Sequence, residues 1–152
     1  MLNRTPLLAA LVAGALSFTA MTAIAQDKVV THAQGETTIS GVPEKVLVQD
    51  WAAFDDLNAL GVEVAGVPSS NAPGYLADSI PADAIQIGSL FEPDFEGIAA
   101  AEADIYFVAS RSASAFETSK DFIPTVDLSV NNGSIIEGLR NNMALLGEIF
   151  EL

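Results

Sequence analysis

From residue 45 to the end, short apolar runs broken by Pro and Gly alternate with segments of helical spacing, and this alternation most constrains the fold. Lys45 to Gln49 (KVLVQ) has strand character. Asp50 is placed to N-cap a helix over Trp51 to Leu60, with Phe54, Leu57 and Leu60 inward and Gly61 closing it. Val62 to Val67, Ala84 to Ile87, Asp104 to Ala109 and Pro124 to Leu128 are the further strands expected, with a short helical turn around Tyr75 to Asp78. Pro93 is suited to the first position of a helix whose Phe95, Ile98 and Ala99 share an inner face, and Ser114 to Phe122 is expected to be helical. Ser134 and Glu137 spell a capping box for a last helix with the apolar stripe Ile135, Leu139, Met143, Leu146 and Phe150. Upstream, Lys28 to Ala33 and Glu36 to Ser40 flank Gln34-Gly35 as a β-hairpin. The pattern predicts an α/β lobe: a small, mainly parallel sheet with helices on both faces, preceded by a hairpin.

The first 25 residues have a different character. Arg4, an apolar and small stretch from Leu7 to Ala20, and Ala23-Ile24-Ala25 together match a cleaved export signal, with cleavage expected before Gln26. The apolar core is short and no basic run follows it, which argues against a membrane anchor. With no cysteine in the chain there is neither a lipidation site nor a disulfide framework. The expectation is therefore an unlipidated periplasmic protein with one domain over residues 26–152. The chain has 20 acidic side chains against 6 Lys and Arg, a formal charge of −14 that becomes more negative by one without Arg4. Nucleic acid and anionic membrane surfaces are poor partners for such a chain. An anionic small ligand would need a local positive spot.

Gly88 to Ser112 (GSLFEPDFEGIAAAEADIYFVASRS) offers one. It predicts a turn, a helix, a buried strand and then Arg111 at the strand's carboxyl end. Open α/β sheets collect their ligands outside that end. A guanidinium presents several donors in a fixed fork, which suits an oxygen-rich anion. The alternative is a surface pair between Arg111 and one of the acids. Ser110 and Ser112 flank it with hydroxyl and backbone donors.

The order of hairpin, KVLVQD, ALGVEVAGVP, IGSLFEPDFEGIAA, ADIYFVASRSA and PTVDLSV resembles the N-terminal lobe of periplasmic siderophore-binding proteins of iron ABC importers, especially those for ferric catecholates. The resemblance spans residues 28–152. The family's usual Leu-x-Pro-Asp turn is replaced by Ala101-Glu102-Ala103-Asp104, which should loosen a turn without abolishing the strand. Family members have two lobes with the ligand between them, so the resemblance implies that this chain reaches only the start of the inter-lobe helix and lacks the C-terminal lobe. It implies a binding protein rather than an enzyme, with a ferric siderophore as ligand, no cofactor, and an ABC permease as partner. Arg111 would contact the anionic complex. Trp51, Leu90 and Phe91, at the ends of neighbouring strands, would offer aromatic or apolar packing, with Tyr75 a weaker candidate, and Glu96 in the P-x-x-E helix would dock on the permease. A non-binding remnant, or a receptor for haem, cobalamin or a hydroxamate siderophore, are the competing readings.

Catalytic signatures are lacking: there is no cysteine nucleophile, G-x-S-x-G elbow or phosphate-binding glycine loop, neighbours such as Asp55-Asp56 diverge along a helix, and Glu92 with Glu96 on an exposed first turn would stay solvated. His32, the single histidine, cannot assemble a zinc or manganese site of the usual kind.

Overall fold

The computed structural model describes residues 26–131 and 133–152. The expected export signal, residues 1–25, lies outside them. The hairpin consists of β1 (Asp27–His32) and β2 (Gly35–Ser40), paired antiparallel with His32 opposite Gly35. The turn is thus Ala33-Gln34, one residue earlier than expected, and Gly35 has already joined the strand.

Five short strands form a parallel sheet: β3 (Val46–Val48), β4 (Gly66–Val67), β5 (Ile85–Gln86), β6 (Ile105–Val108) and β7 (Thr125–Asp127). Their order is β5-β4-β3-β6-β7. Each strand is shorter than its apolar run. The clearest case is Val62–Val64, expected in a strand. Val62 N donates to Leu57 O and so closes the preceding helix instead of joining the sheet.

The sheet separates two cores by the period-2 rule. Val46 and Val48 of β3, with Ile105 and Phe107 of β6, face a core completed by α1 (Trp51–Ala59) and by α4 (Ile135–Phe150). Leu47, Tyr106 and Val108 face the other way, against α2 (Phe95–Ala100) and α3 (Phe116–Ser119). The expected α/β lobe with helices on both faces is what forms.

Several local expectations need correction. Asp50 caps α1 as expected, its Oδ1 accepting from Ala52 N at 2.8 Å and Ala53 N at 3.4 Å. In α2, however, Pro93 precedes the helix, and Asp94 is the cap, accepting from Gly97 N at 3.0 Å. Ala99 is exposed and Ala101 is buried in its place. The expected helix from Ser114 begins earlier, as a 3-10 turn over Ser110–Ala115 that runs into α3. Ser134 does occupy the N-cap of α4 but makes no capping hydrogen bond. Of the α4 stripe, Leu146 and Phe150 are buried, whereas Ile135 and Leu139 are exposed. Finally, the turn without its proline still delivers β6: Glu102 takes a left-handed φ of 48°, and Asp104 Oδ2 accepts from Glu44 N and Lys45 N at 2.9 and 2.7 Å.

Candidate functional site

In the order β5-β4-β3-β6-β7 the chain leaves β3 towards β4 and later returns to the other side of β3 to form β6. The switch point lies between β3 and β6, and a crevice outside their carboxyl ends is where such a sheet receives ligand. Gln49 and Asp50 follow β3 on one side of it; Ala109, Ser110 and Arg111 follow β6 on the other.

Arg111 is exposed, and among the described residues it makes no ion pair. The alternative of a surface pair with an acid is not realised. The three lysines are engaged, Lys28 with the Glu148 carbonyl and Glu151, Lys45 with the Ala101 carbonyl, and Lys120 with Glu117 at 2.7 Å. Arg140, exposed on α4, makes no ion pair among the described residues. Ser110 is exposed beside Arg111 with a left-handed φ of 46°. Ser112 is buried; its Oγ accepts from Ala109 N and donates to Ala109 O, both at 3.0 Å, so it clamps the turn from inside.

The strand-end residues expected to pack on a ligand divide in the same way. Phe91 is 67% exposed at the tip of the loop after β5, whereas Leu90 is 1% exposed in the core beneath it. Trp51 is 4% exposed, stacks edge-on against Phe54, and donates from Nε1 to Ser70 O at 2.9 Å. Arg111, Ser110 and Phe91 therefore present surface at this edge, and Trp51, Leu90 and Ser112 support it. Tyr75, largely exposed, donates its hydroxyl to Asp55 Oδ2 at 2.9 Å. Glu96 is exposed on the first turn of α2 and makes no ion pair with Arg111.

Three groups that position this edge are not evident from the sequence. Gln49, fully buried, accepts from Tyr106 Oη at 2.9 Å and donates to Ser89 O at 2.6 Å, tying β6 to the Phe91 loop through β3. Burial pushes the Tyr106 phenol well above its ordinary pKa, so it remains a donor. Ser89 Oγ accepts from Glu92 N at 3.0 Å and shapes the loop tip. Asp127, 2% exposed, accepts from Gln34, from Ser129 N and from the Ser129 hydroxyl. The signal available in the sequence is position: a polar residue directly after an apolar run, as in KVLVQ and PTVD, marks a strand's carboxyl end.

His32 is held in the hairpin by Thr37 Oγ1 at 2.9 Å and by Gln34 N on Nδ1. Burial keeps its pKa low, opposed by the nearby Asp127 carboxylate. Beside the crevice a cavity of about 180 Å³ is lined by Ala52, Asp56, Ser110, Leu128, Ile135 and Leu139. Burial first, and then Asp55 and Asp50, push the Asp56 carboxyl up to about 6. A wider hollow of about 530 Å³ lies at the opposite edge, before β3, β4 and β5. Its charged lining is Glu44, Glu63 and Asp83, which disfavours an anion, so the Arg111 edge is the better site on charge.

The sheet order, the switch-point crevice and the motif order define a class, and a family model described as periplasmic binding protein matches residues 46–152. The chain belongs to that family. Among curated relatives, the petrobactin-binding protein YclQ of Bacillus subtilis is 30% identical over 117 residues, 76% of this chain and 37% of YclQ. The ferric-anguibactin-binding protein FatB of Vibrio anguillarum is 28% identical over 128 residues, 80% of this chain and 39% of its own length. Among solved structures, the catecholate-siderophore-binding protein VctP of Vibrio cholerae superposes with a TM-score of 0.78 at 26% identity, covering 84% of this chain and 46% of VctP. The siderophore-binding protein BauB, solved with two acinetobactin molecules and ferric iron, gives 0.75 at 27% identity, over 83% and 46%. The chain thus spans less than half the length of these relatives.

Proposed function

We propose that this chain supplies the N-terminal half of a ferric-siderophore site, of catecholate type, in a periplasmic substrate-binding component of an iron ABC importer. The observation that carries the reading is Arg111, a guanidinium without an ion pair at the switch point of a strongly acidic chain. A ferric catecholate complex is an anion rich in oxygen acceptors, and charge-assisted hydrogen bonds from a guanidinium suit it. Exposed Phe91, in the loop after β5 at the same end of the sheet, adds an aromatic face. The relatives named for petrobactin, anguibactin and catecholate siderophores support the ligand class. Binding needs no bond making, so no catalytic group is invoked, and export would follow from the signal in residues 1–25.

Titration of the single tryptophan's fluorescence with a ferric catecholate tests the reading. Saturable quenching is expected, and Arg111→Ala should weaken it about tenfold or more, the worth of a charged hydrogen bond. Absence of quenching at high ligand concentration removes the reading for this chain. The competing remnant reading draws on the exposed Ile135, Ile136 and Leu139 of α4 and on the partial coverage of the relatives; half a cleft buries half a ligand.

Glu96 serves in this reading as a contact to arginines of the permease, since it is exposed on the first turn of α2. In a two-lobed protein carrying this lobe, Glu96→Lys should lower uptake while leaving ligand affinity unchanged. Full uptake by that variant removes the docking role.

A further inference from the structure

The geometry points to Asp127 as the positioning residue for Arg111, acting through Ser129 on one side of the arginine and through Gln34 on the other. This rests on the reading of Arg111 as a ligand contact. The need for positioning comes from Ser110, whose φ of 46° is left-handed although it is not glycine. Such a conformation costs on the order of 1 kcal/mol and persists only where the surroundings hold it.

Asp127 provides the hold with both carboxylate oxygens. Oδ1 accepts from the Ser129 hydroxyl at 2.6 Å and from Ser129 N at 2.9 Å. The same hydroxyl oxygen accepts from Ser110 N at 2.7 Å. A hydroxyl has a single hydrogen, and a carboxylate can only accept. The Ser129 hydrogen must therefore point at Asp127, which leaves a lone pair for the Ser110 N–H. Oδ2 accepts from Gln34 Nε2 at 2.8 Å, and that amide also donates to Ala113 O at 2.8 Å. Ser110 and Ala113 bracket Arg111 in the turn, so one buried carboxylate fixes the backbone on both sides of it. Asp127 does this without making an ion pair to Arg111, so the guanidinium charge is left for a ligand.

The test uses the full chain with Ser129→Ala, Ser129→Thr and Asp127→Asn, the first and last also combined with Arg111→Ala. The first readout needs no ligand: amide hydrogen exchange at Ser110, with the Tyr106 amide, bonded to Pro124 O, as the internal control. Ser129→Ala and Asp127→Asn should speed Ser110 exchange about tenfold while Tyr106 stays protected, and Ser129→Thr, which keeps the hydroxyl, should restore it. The second readout is affinity for iron(III) tris-catecholate. Ser129→Ala should weaken binding roughly three- to tenfold in the parent but less than about twofold in Arg111→Ala, because the serine acts through the arginine. Unchanged Ser110 exchange in both variants overturns the inference, as does an equal loss of affinity in the two backgrounds. If Asp127→Asn fails to fold, Ser129→Ala, at a half-buried position, decides alone. If the parent chain binds no probe, the ligand reading fails, while Ser110 exchange still decides whether Asp127 holds the turn.

Discussion

Asp56 shows how a single side chain can be set against the fold that carries it. It lies on α1 behind Asp50 and Asp55, half-buried at the cavity beside the crevice, with its carboxyl pushed up to about 6. A carboxyl raised on folding is bound to its proton more tightly in the folded chain. Its contribution is fully favourable below the unfolded value and is lost as pH rises through about 6. At pH 7 the ionised group therefore lowers stability. Asp56→Asn should raise stability by about 1 kcal/mol at pH 7, less than the full shift represents because solvent screens the exposed side. Denaturant titrations at several pH values check the sign: the gain should shrink below pH 6 and vanish near about pH 4. An equal gain at both ends would show that charge is not its source. Nothing in the sequence marks Asp56 apart from Asp55, since the difference lies in which side of α1 the sheet covers.

Among the elements, the loop from Gly88 to Asp94 depends on one backbone position. Gly88 has φ +90°, and an added Cβ would lie 2.4 Å from Glu92 O and 2.5 Å from Asp94 N. Backbone atoms cannot step aside as a side chain does. Gly88→Ala should cost roughly 2–3 kcal/mol and displace Phe91, read as a lowered melting midpoint with weakened ligand quenching. A fully stable variant would show that the loop has a second conformation. The elements themselves were legible where local chemistry decides them: VLV and IYFV are apolar runs that must be buried on both faces, and Asp50 directly precedes an apolar helix. They were illegible where a distant partner decides. Gln49 meets Tyr106 57 residues away, and the 3-10 turn at Ser110 is shaped by Ser112 and Ser129 rather than by its own propensity. The same holds for the site: Arg111 could be placed from its strand, but the groups that fix its turn could not. The Ser134–Glu137 spacing shows the opposite failure, a correct motif whose hydrogen bond does not form.

For the whole molecule, the N-terminal hairpin is the part joined to the rest across the longest stretches of chain. Thr37 Oγ1 donates to Thr125 O at 2.6 Å, Ala33 N to Asp127 O at 3.1 Å, and Lys28 reaches the Glu148 carbonyl 120 residues away. Contacts of that separation close large loops and form slowly relative to local ones. β3, α1 and β6, by contrast, meet across shorter stretches of chain, although Val30 and Ile39 of the hairpin complete the same core. In a pulse-labelling experiment during refolding, the amides of β6 should become protected before Ala33. The reverse order would mean that the hairpin nucleates the fold. The timing matters because Gln34, at the hairpin tip, is one of the two links from Asp127 to the arginine turn. On that order, a chain caught before the hairpin docks would lack Val30 and Ile39 from its core and one of the two links to the arginine turn, so the edge that carries Arg111 would take its shape only when the longest loop in the molecule has closed.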